Sequence, residues 1–240
     1  MSLEQFVTKL TKLADLSLNE LNALRALPFY KQQTSQYRDV ITKGEWPSYI
    51  YVVLEGWAGR YNIRPDGSRR ITGFLLPGDF CGIHARCHAE MDHGITALTE
   101  CEIARIELPT FEAIASQSLS INQALWQAKL MDESVLRTWL LNSTDSVRTL
   151  AHLFCEIEAR LHPADDARER TFSFPLTQGQ IGDAIGITSV HTNRTLRVLR
   201  EQGLATLSGA VLCIHDLAAL RREASFDRRY LHSKQRSEEA

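Results

Sequence analysis

At 240 residues the chain can hold one large domain or two ordinary ones, each with its own core. Hydrophobic residues at 44% and charged residues at 23% exclude a disordered or fibrous chain, and the longest apolar runs, 50–54 and 73–76, are far too short to span a bilayer. The net charge of −2 neither attracts nor repels nucleic acid as a whole, so DNA affinity has to come from local charge.

Residues 1–12 lack a basic flank, an apolar stretch and a small-residue cleavage site, so no export is expected and the chain is placed in the cytoplasm. Phe6, Leu10, Leu13 and Leu16, then Leu18, Leu21, Leu24 and Leu27, keep helical spacing and predict two short lead-in helices. From 39 to 107 the pattern changes to short runs rich in Val, Ile, Tyr and Phe. Lys43-Gly44, Glu55-Gly56, Asp66-Gly67, Pro77-Gly78 and His93-Gly94 punctuate them, which predicts a sandwich or jelly roll. Cys81, Cys87, Cys101, Cys155 and Cys213 are odd in number and scattered, as expected of reduced cytoplasmic thiols.

Pro109 opens a helical stretch, and residues 120–142 contain neither Gly nor Pro. Leu125, Ala128, Val135 and Trp139 roughly trace one stripe that exceeds what a small roll could cover. The expectation is a long helix that pairs two subunits, with Leu125 and Val135 in the seam. Asp145 then fits the N-cap of a helix whose Val147, Leu150, Ala151, Phe154, Ile157 and Leu161 keep a 3.6-residue period. Residues 162–170 read as a polar loop.

Thr177-Gln178-Gly179-Gln180 has the form of a capping box and starts a helix. Ile181, Ala184 and Ile185 supply its apolar face, Gly186 permits a sharp turn, and Thr188 or Ser189 can cap a second helix. That helix turns Thr192, Thr195, Leu196 and Leu199 inward, leaving Ser189, Val190, Asn193, Arg194 and Arg197 outward. Between Leu176 and Arg200 the only acid is Asp183, while Arg194, Arg197 and Arg200 form a short basic stripe. After Gly203, residues 204–207 and 211–214, joined by Ser208-Gly209, read as a two-stranded hairpin. Helix, turn, basic helix and hairpin in this order predict a winged helix-turn-helix that reads the DNA major groove.

These landmarks resemble the CRP/FNR family of bacterial regulators over nearly the whole chain. Gly44-Glu45, Leu54-Glu55-Gly56, Asp66-Gly67, the run Gly78-Asp79-Phe80-Cys81-Gly82, and Cys101-Glu102 are similar to that family's β-roll, and residues 176–199 to its DNA-binding signature. The resemblance implies an α+β chain: a jelly-roll sensor domain at 1–118, a dimerisation helix at 119–144 and a winged helix-turn-helix domain at 145–240. It implies a homodimer on a double-stranded DNA operator with half-sites one or more helical turns apart, and a contact to RNA polymerase for which 162–170 is a candidate. DNA contacts are assigned to Thr177, Gln178, Ser189, Val190, His191, Asn193, Arg194 and Arg197.

The signal is less legible. Cyclic-nucleotide-binding relatives follow the Gly with Glu and hold phosphate with an Arg-Ser pair; here Ile83 follows Gly82, and His93-Gly94 stands near the second position. A bidentate guanidinium clamp is missing, so cyclic AMP is not expected. No cysteine precedes Cys81, which argues against an iron–sulfur cluster. The resemblance places an unknown small-molecule effector near Gly82, Ile83, His84, His93 and Gly94, with Ser134 of the long helix near the position from which relatives reach their ligand across the seam.

Residues 81–93 concentrate Cys81, His84, Cys87, His88, Asp92 and His93, all of them possible metal ligands. A polar loop beside the roll, its imidazoles hydrogen-bonded to backbone or water, is the simpler account, and no metal or other cofactor is assigned. A sensor of metal, haem or redox state using this segment stays open, as does a metal-dependent cupin-type enzyme. The enzyme fits poorly: it needs a close His-x-His with a downstream Glu, whereas His84 and His88 are four apart, and no catalytic triad or phosphate loop is visible.

Overall fold

The structure is a computed structural model describing residues 2–143, 145–162 and 168–232, which form two compact units, one ending at Asp132 and the other starting at Glu133. No helix among the described residues is long and apolar enough to cross a membrane.

In the first unit α1 (Glu4–Thr11) and α2 (Leu18–Arg25) lead in, as their leucine spacing requires. A capping box between Ser17 and Glu20 starts α2. Eight strands follow: β1 (Tyr30–Thr34), β2 (Asp39–Ile41), β3 (Tyr49–Glu55), β4 (Ala58–Ile63), β5 (Arg69–Leu75), β6 (Phe80–Cys81), β7 (Gly94–Ala97) and β8 (Cys101–Glu107). They pair antiparallel in two four-stranded sheets ordered β1-β8-β3-β6 and β2-β7-β4-β5, a jelly-roll layout. Val40, Tyr51, Val53, Leu75, Ile95 and Ile103 fill the roll. A second core packs Ile50, Val52 and Ile106 against Phe6, Leu10 and Leu24 of the lead-in helices and against α3 (Leu108–Ala115) and the start of α4 (Leu119–Leu141).

Pro109 sits in the first turn of α3, where its missing N–H costs nothing. The expected seam residues behave otherwise. Leu125 is 2% exposed in the second of these cores and Val135 is 6% exposed beside Ala159 and Leu231, so both pack inside their own subunit. The stripe that points outward carries Leu119, Trp126, Leu130, Leu140 and Leu141.

In the second unit Asp145 caps α5 (Ser146–Leu161) by accepting from the Val147 and Arg148 amides. Then come β9 (Arg170–Ser173), α6 (Gln178–Ile185), α7 (Ser189–Glu201), β10 (Ala205–Ser208), β11 (Val211–Ile214) and α8 (Leu217–Glu223). A 3-10 turn at Arg228–Leu231 follows them. The wing has three strands, ordered β10-β11-β9, because 170–173 pairs with β11 where sequence reading saw only the end of a loop. Its pattern RTFS is too short and too polar to read as a strand alone. Residues 150–159 of α5 are all buried, Glu156 and Glu158 included. Arg170 and Arg221 meet Glu158 at 2.9 and 3.3 Å, and Glu156 accepts from Trp139 and Tyr230. Buried charges persist only when paired and hydrogen-bonded in this way.

Candidate nucleic-acid interface and sensor pocket

The helix-turn-helix is assembled by local capping. Thr177 Oγ1 accepts from the Gln180 amide at 3.2 Å while Gln180 Oε1 accepts from the Thr177 amide at 2.8 Å, closing the expected box. Gly186 takes the left-handed conformation (φ 81°) at the C-cap of α6, a turn that a β-carbon would strain. Gly182 is needed for space instead, since a β-carbon there would lie 2.5 Å from the Ile187 carbonyl and only Gly lets the turn close. Thr188 Oγ1 then accepts from the His191 amide and starts α7.

Thr192, Thr195 and Leu199 are buried and Leu196 is half-buried, whereas Ser189, Val190, Asn193, Arg194, Arg197 and Arg200 are exposed on the outer face. Among the described residues the side chains of Asn193 and Arg194 make no hydrogen bond or ion pair. Arg197 does: its Nε donates to Glu201 at 2.7 Å, one turn along α7. Thr177 and Gln178 are exposed at the start of α6. His191 is exposed too, but its Nε2 stands 3.1 Å from Ser146 Oγ at the start of α5.

In the roll, Gly82, Ile83, His84 and His93 line one small cavity with Arg60, Phe80, Cys81, Met91 and Lys129. Its volume is about 10 Å³, room for one water molecule. Arg60, on the cavity wall, donates to Asp132 at 2.9 Å, and Lys129 meets the same carboxylate oxygen at 3.4 Å. Arg60 is not among the residues expected from sequence; the available signal was an arginine following the small residues Ala58 and Gly59 in a strand. Gly94 is buried against Tyr61, and Ser134 belongs to the second unit, where its hydroxyl faces His232 at 3.2 Å and accepts from Arg137 at 2.9 Å. A wider half-open cleft of about 780 Å³ lies beside the loop, lined by Ile83, Arg86, Leu108, Pro109, Leu125, Trp126 and Lys129. Arg86 is fixed by Glu112 and by Asn122 at 2.9 Å.

The loop expected at 81–93 contains a 3-10 turn at Ile83–Cys87. It brings three of the six candidate ligands together: His84, Asp92 and His93 place ligand atoms within 4.8 Å of one another. Cys87 and His88 are exposed outside the group, and Cys81 is buried in the roll. Burial holds both imidazoles below their usual value, against the pull of Asp92, while the hydrogen bond from His93 lowers Asp92. Burial pushes the Cys81 thiol up to about 12, the opposite of what ligation by thiolate asks.

Two family models match, a cyclic nucleotide-binding domain at residues 36–118 and a Crp-like helix-turn-helix domain at 149–223. The nitrogen fixation regulation protein FixK of Bradyrhizobium diazoefficiens is 30% identical over 179 residues, covering 72% of this chain and 73% of its own length. The chain belongs to the CRP/FNR family. The transcriptional activator protein FnrL of Cereibacter sphaeroides is 26% identical over 214 residues, 87% of this chain and 85% of that one. The solved structure of FixK2 from Bradyrhizobium japonicum superposes with a TM-score of 0.73 at 20% identity, over 84% of this chain and 100% of that one, which shows a shared fold. This CRP/FNR member is a DNA-binding transcription regulator. The cupin-type enzyme has no support among its relatives.

Proposed function

We propose that the regulator works as a cytoplasmic homodimer that sets one α7 in each of two major grooves of a roughly palindromic operator, switched by a signal acting on the β-roll. One observation carries this reading: the outer face of α7 presents Ser189, Val190, Asn193, Arg194 and Arg197 with no acid before Glu201, on a helix held by a capped turn and a packed wing. Arg194 can donate two bonds to guanine O6 and N7, Asn193 can pair with adenine or a phosphate, and the Val190 methyls favour a thymine methyl. Thr177 and Gln178, at the N-terminus of α6, suit a backbone phosphate. Ser189 and His191 complete the proposed contact set, His191 by leaving its Ser146 partner.

The outward stripe of α4 supports a second copy of the chain as its cover, since exposed apolar surface of this extent on one helix marks an interface. The proposed division is 1–118 for the sensor, 119–144 for the dimerisation helix and 145–240 for DNA binding. For the signal, a water-sized cavity lined by an Arg60 already held by Asp132, and so lacking a free guanidinium clamp, does not favour cyclic AMP. The buried, high-pKa Cys81 does not favour an iron–sulfur cluster. Residues 162–170 are the candidate contact with RNA polymerase, and 163–167 of them lie outside the described residues. The test is genomic mapping of bound sites with and without candidate signals: a recurring palindromic motif supports the reading, and occupancy without any motif contradicts it.

A further inference from the structure

The loop after β6 leaves the sheet at Cys81, forms the 3-10 turn and returns to β7 at Gly94. Its two ends meet through side chains. His84, from the turn, places Nε2 3.5 Å from Asp92 Oδ1, and His93 places Nδ1 2.5 Å from the same oxygen. The two rings stand edge to face with centroids 5.5 Å apart.

We propose that His84, Asp92 and His93 form a binding site for a first-row divalent transition-metal ion, with a water or ligand position open to solvent. Two imidazoles and a carboxylate are the donor set that such ions share in open sites, and the mixture is poor for Mg²⁺ or Ca²⁺. Bonds of about 2.0–2.1 Å in tetrahedral geometry need donor atoms about 3.3 Å apart. The His84 to Asp92 separation already matches, and the His93 to Asp92 pair has to open by less than about 1 Å. Asp92 can make that move because its side chain is 80% exposed, whereas the His84 and His93 side chains, 23% and 14% exposed, are held by the fold.

The charged neighbours leave the carboxylate available. Arg60 and Lys129 are turned to Asp132, so the partners of Asp92 are the two imidazoles. The His84 ring is under-satisfied: Nδ1 is buried without a partner and Nε2 stands beyond a good hydrogen-bonding distance. A bound ion replaces that weak contact with a coordinate bond. It also ties the returning end of the loop to the turn that lines both the small cavity and the wide cleft. The inference goes beyond DNA binding and does not depend on it.

The test is titration of the untagged full-length chain with Co(II), read by its visible absorption, followed by displacement with Zn(II) and by calorimetry with Zn(II) alone. We expect one ion per chain, with binding weakened at least about tenfold in His84→Ala and in Asp92→Asn and unchanged in Cys87→Ser and His88→Ala. Asp92→Asn, at an exposed position, tests the site without risk to the fold. Failure of the wild-type chain to take up either ion overturns the proposal, as does uptake that survives both His84→Ala and Asp92→Asn.

Discussion

The Tyr230 hydroxyl donates a 2.9 Å hydrogen bond to Oε2 of Glu156, a carboxylate with no exposed surface. Trp139 Nε1 donates to the same oxygen at 2.8 Å, so one acid ties the end of α4, the middle of α5 and the C-terminal turn together. Phe226, Tyr230 and Leu231 complete the contact, all beyond the end of the matched helix-turn-helix model at residue 223. Tyr230→Phe should cost about 1–2 kcal/mol by leaving the acid short of a donor. Truncation after residue 225 should cost more, because it also removes the apolar cover. Urea unfolding followed by tryptophan fluorescence checks both; equal stability of the three chains would contradict the clasp.

His152 sits under that clasp, stacked on Tyr230 at 5.6 Å and meeting Phe226 edge-on at 5.2 Å. Burial holds its pKa down at about 4, against an ordinary 6.5. The folded state refuses a proton that the unfolded state accepts, so stability falls as pH drops from 6.5 towards 4. The loss reaches about 2 kcal/mol by pH 5. Burial raises Glu156, which gives an opposing slope above the ordinary carboxylate range, so wild type alone does not isolate the histidine. Urea unfolding at pH 7 and pH 5 for wild type and His152→Phe does: the variant should lose less stability on acidification. Parallel losses would contradict the assignment.

For the dimer the outward stripe replaces the residues first expected. Leu130→Glu or Trp126→Glu should give a monomer in sedimentation velocity at micromolar concentration, since each puts a charge into the proposed seam. Leu125→Ala should instead leave the dimer and cost about 2–5 kcal/mol of stability, as a buried Leu truncation does. A dimer unaffected by Leu130→Glu would place the seam elsewhere.

Much of this was legible in sequence because the signals were local. The Thr177–Gln180 box, the turn at Gly186 and the inward set Thr192, Thr195 and Leu199 each follow from spacing within one or two turns, and all are found in the structure. The long helix was equally clear, but not its seam. A helix with two apolar stripes does not say which one its own chain covers, and Leu125 and Val135 lie on the covered one. Strand β9 and the bond from Arg60 to Asp132 depend on partners 38–44 and 72 residues away in sequence, beyond the reach of periodicity. Of the six candidate ligands in 81–93, tertiary folding alone selects His84, Asp92 and His93.

Cyclic AMP should bind weakly and change operator affinity little. The missing phosphate clamp removes a charge-assisted pair worth about 1.5–3 kcal/mol, one to two decades of affinity. Calorimetry should find no binding tighter than tens of micromolar; tighter binding with a gain in operator affinity would show that another group, such as Arg60, replaces the clamp.

The claim that α7 reads bases is tested most directly by titrating Arg194→Ala and Arg197→Ala against single-base operator variants at two salt concentrations. Arg194→Ala should cost about 1–3 kcal/mol and relax preference at one base pair per half-site. Arg197→Ala should weaken all sequences alike, a loss blunted because Glu201 already holds its guanidinium, and should lower the salt slope by about one counterion per subunit. Uniform loss for Arg194→Ala, or selective loss for Arg197→Ala, would contradict this placement of the recognition helix on DNA.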